Sequence, residues 1–238
     1  MIDIQIQAQP DDETCGPTSL HAIYKYFGLD IPLNDVVQTV ERSLSGGTLS
    51  PMLGSHALKC GFKTRIYIYN LNLFDPTWFL HPEGDRQFLI GKLEAQMEFK
   101  KDVYLTKESL AYIEYLKQGG TICFQPLNIA LLKKYFKQKV PIITALSATY
   151  LYRSTREYFT PEGKSVYDDI RGTPCGHFVV LCGYDEKNRS VVVADPHPGN
   201  PLFNDNYYKV SVNRLINSIL LGVLTYDANL LIIEPKEG

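Results

Sequence analysis

Among the five cysteines, Cys15 has the setting of a nucleophile. It heads a segment in which Leu20, Ile23, Tyr24 and Phe27 recur at helical spacing, with Gly16-Pro17 suited to a first turn and Gly28 placed to stop the helix in a left-handed conformation. A thiol at a helix N-terminus meets unsatisfied N–H groups and the positive end of the dipole, and both favour the attacking thiolate. Cys60 and Cys123 sit in apolar settings beside Gly61 and Phe124, Cys182 lies inside a strand-like run, and Cys175 is in a loop before Gly176. Buried cysteine commonly serves as a small hydrophobe. A thiolate works best beside a histidine that holds its proton, and that histidine needs a polar partner to fix its tautomer. His177 opens the run HFVVLCGY, Asp195 closes SVVVAD, and the short polar segment between them predicts an antiparallel hairpin that brings the two residues back together. The register stays open at this stage, since a slip of one residue moves a side chain to the other face.

The elements that must position these groups fall in two blocks. Alternating Ile2, Ile4 and Ile6 predict a half-buried strand that ends at Pro10. After the Cys15 helix, Val36, Val37, Val40 and Leu44 predict a second helix, Pro51 to Lys59 a third, and KTRIYIY a strand. Residues 86–117 read as two helices stopped by Gly119-Gly120, and Asn128 to Lys139 as one more, whose lysines form a solvated face. VPIITAL, HFVVLCGY, SVVVAD, NYYKVSV and LLIIE are short, β-branched or aromatic, and predict strands. Helices first and a mostly antiparallel sheet later make an α+β plan.

Composition narrows the function classes. The chain has 238 residues, 45% hydrophobic and 21% charged, an ordinary globular balance. With 24 Lys plus Arg against 26 Asp plus Glu the net charge is -2, so no global field draws nucleic acid or an anionic membrane. No apolar stretch approaches the roughly 20 residues of a membrane span, and the first residues lack a secretory pattern. An odd number of cysteines without C-x-x-C spacing argues against a disulfide framework or a cysteine-ligated zinc site and places the chain in a reducing cytoplasm. His21, His56, His81, His177 and His197 form no i, i+4 pair, which argues against metal-dependent hydrolysis, and no cofactor is expected. His197, in the loop DPHPGN after Asp195, reads first as an exposed loop histidine.

The order Cys, long interval, His, Asp is that of papain-like cysteine peptidases. Gln9 and Cys15 in QPDDETCGPTSLHAIYKYFG, with GGTLSPMLGSHALKCGF and GHFVVLCGYDEKNRSVVVADPHPGN, resemble the bacteriocin-processing double-glycine peptidases and their stand-alone relatives. The resemblance covers residues 5–65 and about 130–200. It implies a papain-like fold in one domain, 1–238, carrying a helical insertion at about 66–128. It also implies Cys15 as nucleophile, His177 as base, Asp195 as its orienting partner and Gln9 as an oxyanion-hole donor. A carboxamide N–H aimed at a developing oxyanion would supply stabilisation realised mainly in the transition state.

These residues predict a stand-alone thiol hydrolase acting on a peptide or protein substrate through an acyl-enzyme. A γ-glutamyl or peptidyl transferase of the same fold and a catalytically silent peptide-binding module are the alternatives. Recognition is expected in the two segments outside the motifs, 66–128 and the polar loop 147–176. In that loop Arg153 and Arg156 would suit a carboxylate-bearing substrate.

Overall fold

The computed structural model describes residues 1–43, 46–80, 85–160, 165–201, 203, 205–225 and 227–236. Leu44 of the expected second helix and His81 lie outside these. Five helices, α1 (Cys15–Tyr26), α2 (Leu33–Thr39), α3 (Ser50–Lys59), α4 (Arg86–Lys100) and α5 (Val103–Lys117), precede most of the sheet, interrupted by β1 (Phe62–Ile68). There follow β2 (Thr121–Cys123), α6 (Ile129–Lys137), β3 (Ile142–Ser147), α7 (Ala148–Tyr152), β4 (Glu157–Phe159) and β5 (Ser165–Tyr167). The chain ends with β6 (Gly176–Asp185), β7 (Ser190–Ala194), β8 (Tyr207–Ser211), α8 (Val212–Leu221) and β9 (Asn229–Pro235). Seven strands form one sheet in the order β2-β1-β9-β3-β6-β7-β8, and β4 pairs with β5 as a separate hairpin. Every pairing in the large sheet is antiparallel except β1 with β2.

The sheet is covered on both faces, which is why its central strands read as continuous apolar runs rather than alternating ones. Phe178 and Val180 of β6 pack with α1, α3 and α5, while Val179 and Leu181 pack with α6, α7 and α8. This is the period of two that a strand imposes.

Helix α1 begins where the sequence predicts, and Gly28, at φ 81°, follows its end. Gly16 has a second reason to be glycine. A Cβ there would lie 3.3 Å from the Phe178 ring and 3.4 Å from Leu53, so its absence lets the head of α1 sit against β6 next to His177.

Two expectations are corrected. Ile2 and Ile4 are buried, but residues 2–6 form no strand, and the Ile4 N–H turns back to Ile2 O at 3.2 Å. Their N–H groups go singly to different acceptors, Ile2 to Cys182 O at 2.8 Å and Ile6 to the Tyr207 hydroxyl at 2.8 Å, so no ladder forms. The segment 147–176 is not one polar loop: it contains α7, capped by Ser147 Oγ, and the β4–β5 hairpin.

Candidate active site

The hairpin register, open in the sequence, is settled by the pairing of β6 with β7. Val180 faces Ala194 and Leu181 faces Val193, so His177 and Asp195 fall on one face as diagonal neighbours. A bulge between Leu181 and Gly183 lies on the far side of this pair and leaves it undisturbed. His177 Nε2 donates to Asp195 Oδ1 at 2.8 Å, and both side chains are buried. That leaves Nδ1 as the ring nitrogen free for Cys15, which lines the same cleft from the head of α1 and acts on the ring through its charge.

Asp195 is fully buried and receives four donors. Oδ1 accepts from His177 Nε2 and from the His197 backbone N–H at 2.9 Å; Oδ2 accepts from the hydroxyls of Tyr152 at 2.7 Å and Tyr208 at 2.6 Å. Burial alone would push this carboxyl up, but the His177 charge and these hydrogen bonds hold it below the usual carboxylate range. Burial would likewise lower His177, yet the charges of Asp195 and Cys15 and the hydrogen bond to Asp195 raise it to about 10. The ring therefore carries its proton through neutral pH. The neighbouring His197 is lowered, by burial first and by His177 second, and is the uncharged member of the pair.

Gln9 is half-buried on the loop that leads into α1. Its backbone N–H donates to Pro196 O at 2.9 Å, which fastens the segment to the residue after Asp195. Its amide Nε2 donates to Asp11 O at 2.7 Å and has a second N–H to give. The N–H groups of Cys15 and Gly16, in the first turn of α1, have no intrahelical acceptor.

Cys15 and His177 line a cleft of about 850 Å³ that also runs past the α3 entrance, one face of α5, and Thr225 and Asp227. Arg153 and Arg156 are not on its walls. Arg153 lines a separate small depression with Tyr150 and Arg214, and Arg156 donates to Asp169 O. None of the other cysteines lines this cleft, and Cys60, half-buried, meets His56 Nδ1 at 3.7 Å away from it. Burial pushes Cys182 to about 12, and burial with Glu157 does the same to Cys175; Cys123 is buried in the core. Sequence reasoning missed Tyr152 and Tyr208, and the cleft carboxylates of Glu108 and Asp227. The alternation in NYYKVSV signals that Tyr208 points inward with Val210, but nothing in it names the partner.

Residues 97–216 match the model of the Peptidase_C39 like family, a span that holds His177 and Asp195 and leaves out Gln9 and Cys15. The chain is similar to a crystal structure described as a C39-like peptidase from Bacillus anthracis, with 15% identity and a TM-score of 0.50 over 99% of this chain and 96% of that one. At this level the likeness concerns the fold, and it gives the papain-like α+β architecture. The peptidase domain of Streptococcus ComA, described as a bi-functional ABC transporter involved in a quorum sensing pathway, aligns at 13% identity and TM-score 0.44 over 98% of this chain and 100% of that one. Xylellain, a cysteine protease from Xylella fastidiosa, aligns at 13% and 0.44 over 100% and 85%. No curated protein sequence matches the chain.

Proposed function

We propose, from the premise that this chain belongs to the Peptidase_C39 like family and is a cysteine peptidase, that it opens a peptide or isopeptide bond through an acyl-enzyme on Cys15. The observation that carries this reading is the His177–Asp195 contact of 2.8 Å in the cleft that Cys15 lines from a helix N-terminus. In this scheme the Cys15 sulfur attacks the scissile carbonyl carbon, and the carbonyl electron pair moves onto oxygen. The Cys15 N–H and the second N–H of the Gln9 amide stabilise that oxyanion. As the tetrahedral intermediate collapses, the C–N bond breaks and His177 gives its proton to the leaving amine, which leaves a thioester on Cys15. His177, now neutral, takes a proton from water as water attacks the thioester. The C–S bond then breaks, the acid is released, and the freed Cys15 sulfur and the protonated His177 restore the starting pair. Asp195 fixes the tautomer and the tilt of the ring throughout.

The substrate in this reading is a peptide or protein. A reducing, cytoplasmic setting fits the five free cysteines, and among the described residues no helix is long and apolar enough to cross a membrane. The test is hydrolysis of a peptide library followed by mass spectrometry. Cys15→Ala and His177→Ala should each abolish cleavage, and the double variant should lose no more than either single one, since the two act as a unit. Cleavage that survives Cys15→Ala would refute the assignment.

A further inference from the structure

The walls of the cleft are acidic. Seven of the residues that line it carry carboxylates, against two permanent cations, Arg42 and Lys107. Arg42 is already committed to Glu13 at 3.2 Å.

Two of the carboxylates are placed unlike surface acids. Asp227, just before β9, is only 7% exposed although it lines the cleft. Its Oδ2 accepts from the Ser50 N–H at 2.9 Å, and its Oδ1 accepts from the Asn229 amide. The Ser50 hydroxyl lies 3.0 Å from Asp227 Oδ2 and 2.6 Å from Asn229 Oδ1, and it has one proton to give. These neutral donors orient the Asp227 carboxylate without cancelling its charge. Glu108, half-buried on α5, lines the same cleft and senses the charges of Asp227 and Asp102. Among the described residues neither Glu108 nor Asp227 has an ion-pair partner of its own.

Buried carboxylates without a counter-charge are unfavourable, and both groups are pushed up to about 7, chiefly by burial. A surface under no demand to hold a cation has no need to keep two such groups together. The cleft they occupy is the one that presents Cys15 and His177, so a substrate chain must pass them. Leu49, Met52 and Leu110 on the same walls would pack against the methylene stem of a long basic side chain.

We propose that this cleft selects substrates bearing a lysine or arginine side chain, whose charge is held by Asp227 and Glu108 while the scissile bond lies at Cys15. The proposal rests on the reading of Cys15 and His177 as the catalytic pair. It replaces the expectation of an acidic substrate, because the arginines that motivated it are off the cleft and the walls repel anions.

The test uses hexapeptide libraries in which arginine or its neutral isostere citrulline is fixed in turn at each position. Binding is measured by fluorescence anisotropy on Cys15→Ala protein, and hydrolysis is measured on the unaltered chain. At one position arginine should bind about 10-fold more tightly than citrulline, the effect expected of a close, partly buried charge pair. Glu108→Gln and Asp227→Asn, each introduced beside Cys15→Ala, should bring that ratio towards one. Glu108→Gln changes a half-exposed helix position and keeps the test open if the Asp227 variant does not fold. Ratios within twofold at every position, or a preference that survives Glu108→Gln, would overturn the proposal. Arginine-selective binding without any hydrolysis would sink the catalytic reading and leave the charge recognition standing. Hydrolysis indifferent to arginine would do the reverse.

Discussion

Asp195→Asn probes the pair at the heart of the site, because the change is isosteric while the pocket is built for a carboxylate. All four groups that meet Asp195 donate: two to Oδ1 and two to Oδ2. An asparagine supplies one oxygen for two of them and turns an NH₂ towards the other two. The best arrangement keeps the oxygen on His177 and His197 and forces the Tyr152 and Tyr208 hydroxyls to act as acceptors, which strands their protons in a buried place. Each stranded polar group costs on the order of 1–3 kcal/mol, a large part of a typical stability of about 5–15 kcal/mol. Folding of the variant is therefore checked first by circular dichroism. The catalytic effect has a pH signature. His177 is raised to about 10, with the Asp195 charge the leading cause against burial, so the proton it contributes is present at low and neutral pH and is lost as pH rises through that value. Without the carboxylate charge the ring returns towards its ordinary value of about 6.5, where it is protonated roughly 76% of the time at pH 6 and only about 3% at pH 8. The loss in kcat/KM should then be about 25-fold greater at pH 8 than at pH 6, and the basic limb of the profile should move down. The assay is kcat/KM on one cleaved peptide from pH 5 to 10. An equal loss at every pH, with the basic limb unmoved, would show that Asp195 only props the ring and would refute the electrostatic argument.

Further outcomes follow from the same geometry. Tyr208→Phe removes the 2.6 Å bond to Asp195 Oδ2 and should cost about 1.5–3 kcal/mol in thermal or urea unfolding. Because the Asp195 carboxyl is depressed, its stabilisation exists above its ordinary range and is lost as pH falls; the variant should shift this acid-side loss to higher pH, read from unfolding curves between pH 3 and 7. Gln9→Ala should lower kcat by about 100-fold or more with little change in KM, and an unchanged kcat would remove Gln9 from the oxyanion hole.

The helical period made α1 legible from Leu20, Ile23, Tyr24 and Phe27, and Gly28 marked its end. The β6–β7 hairpin was legible for the same reason, two apolar runs around a short polar turn. Register was not, because period two is satisfied by either face and only the Val180–Ala194 pairing decides between them. Ile2 and Ile4 show a different limit. Their alternation correctly reports burial, but burial does not make a ladder when the N–H groups find scattered acceptors. Arg153 shows how proximity in sequence misleads. The sequence reads as a single loop running from it to His177, yet α7 ends at Tyr152, leaves Arg153 in a left-handed turn beside α8, and the β4–β5 hairpin intervenes. The substrate-facing acids were invisible because Glu108 and Asp227 sit far apart in the chain, on a helix and at a strand entrance, and only the packing of α5 against α3 and of β9 within the sheet brings both to the cleft.

The most direct test of Cys15 as the nucleophile partnered by His177 is site-resolved alkylation with iodoacetamide at about pH 6, where an ordinary thiol of pKa about 8.5 is almost unreactive. Mass mapping should find the label on Cys15 first, with Cys175 and Cys182, both pushed to about 12, unmodified, and His177→Ala should abolish the rapid labelling. Equal or faster labelling at Cys60 or Cys175, or labelling of Cys15 indifferent to His177→Ala, would contradict the account.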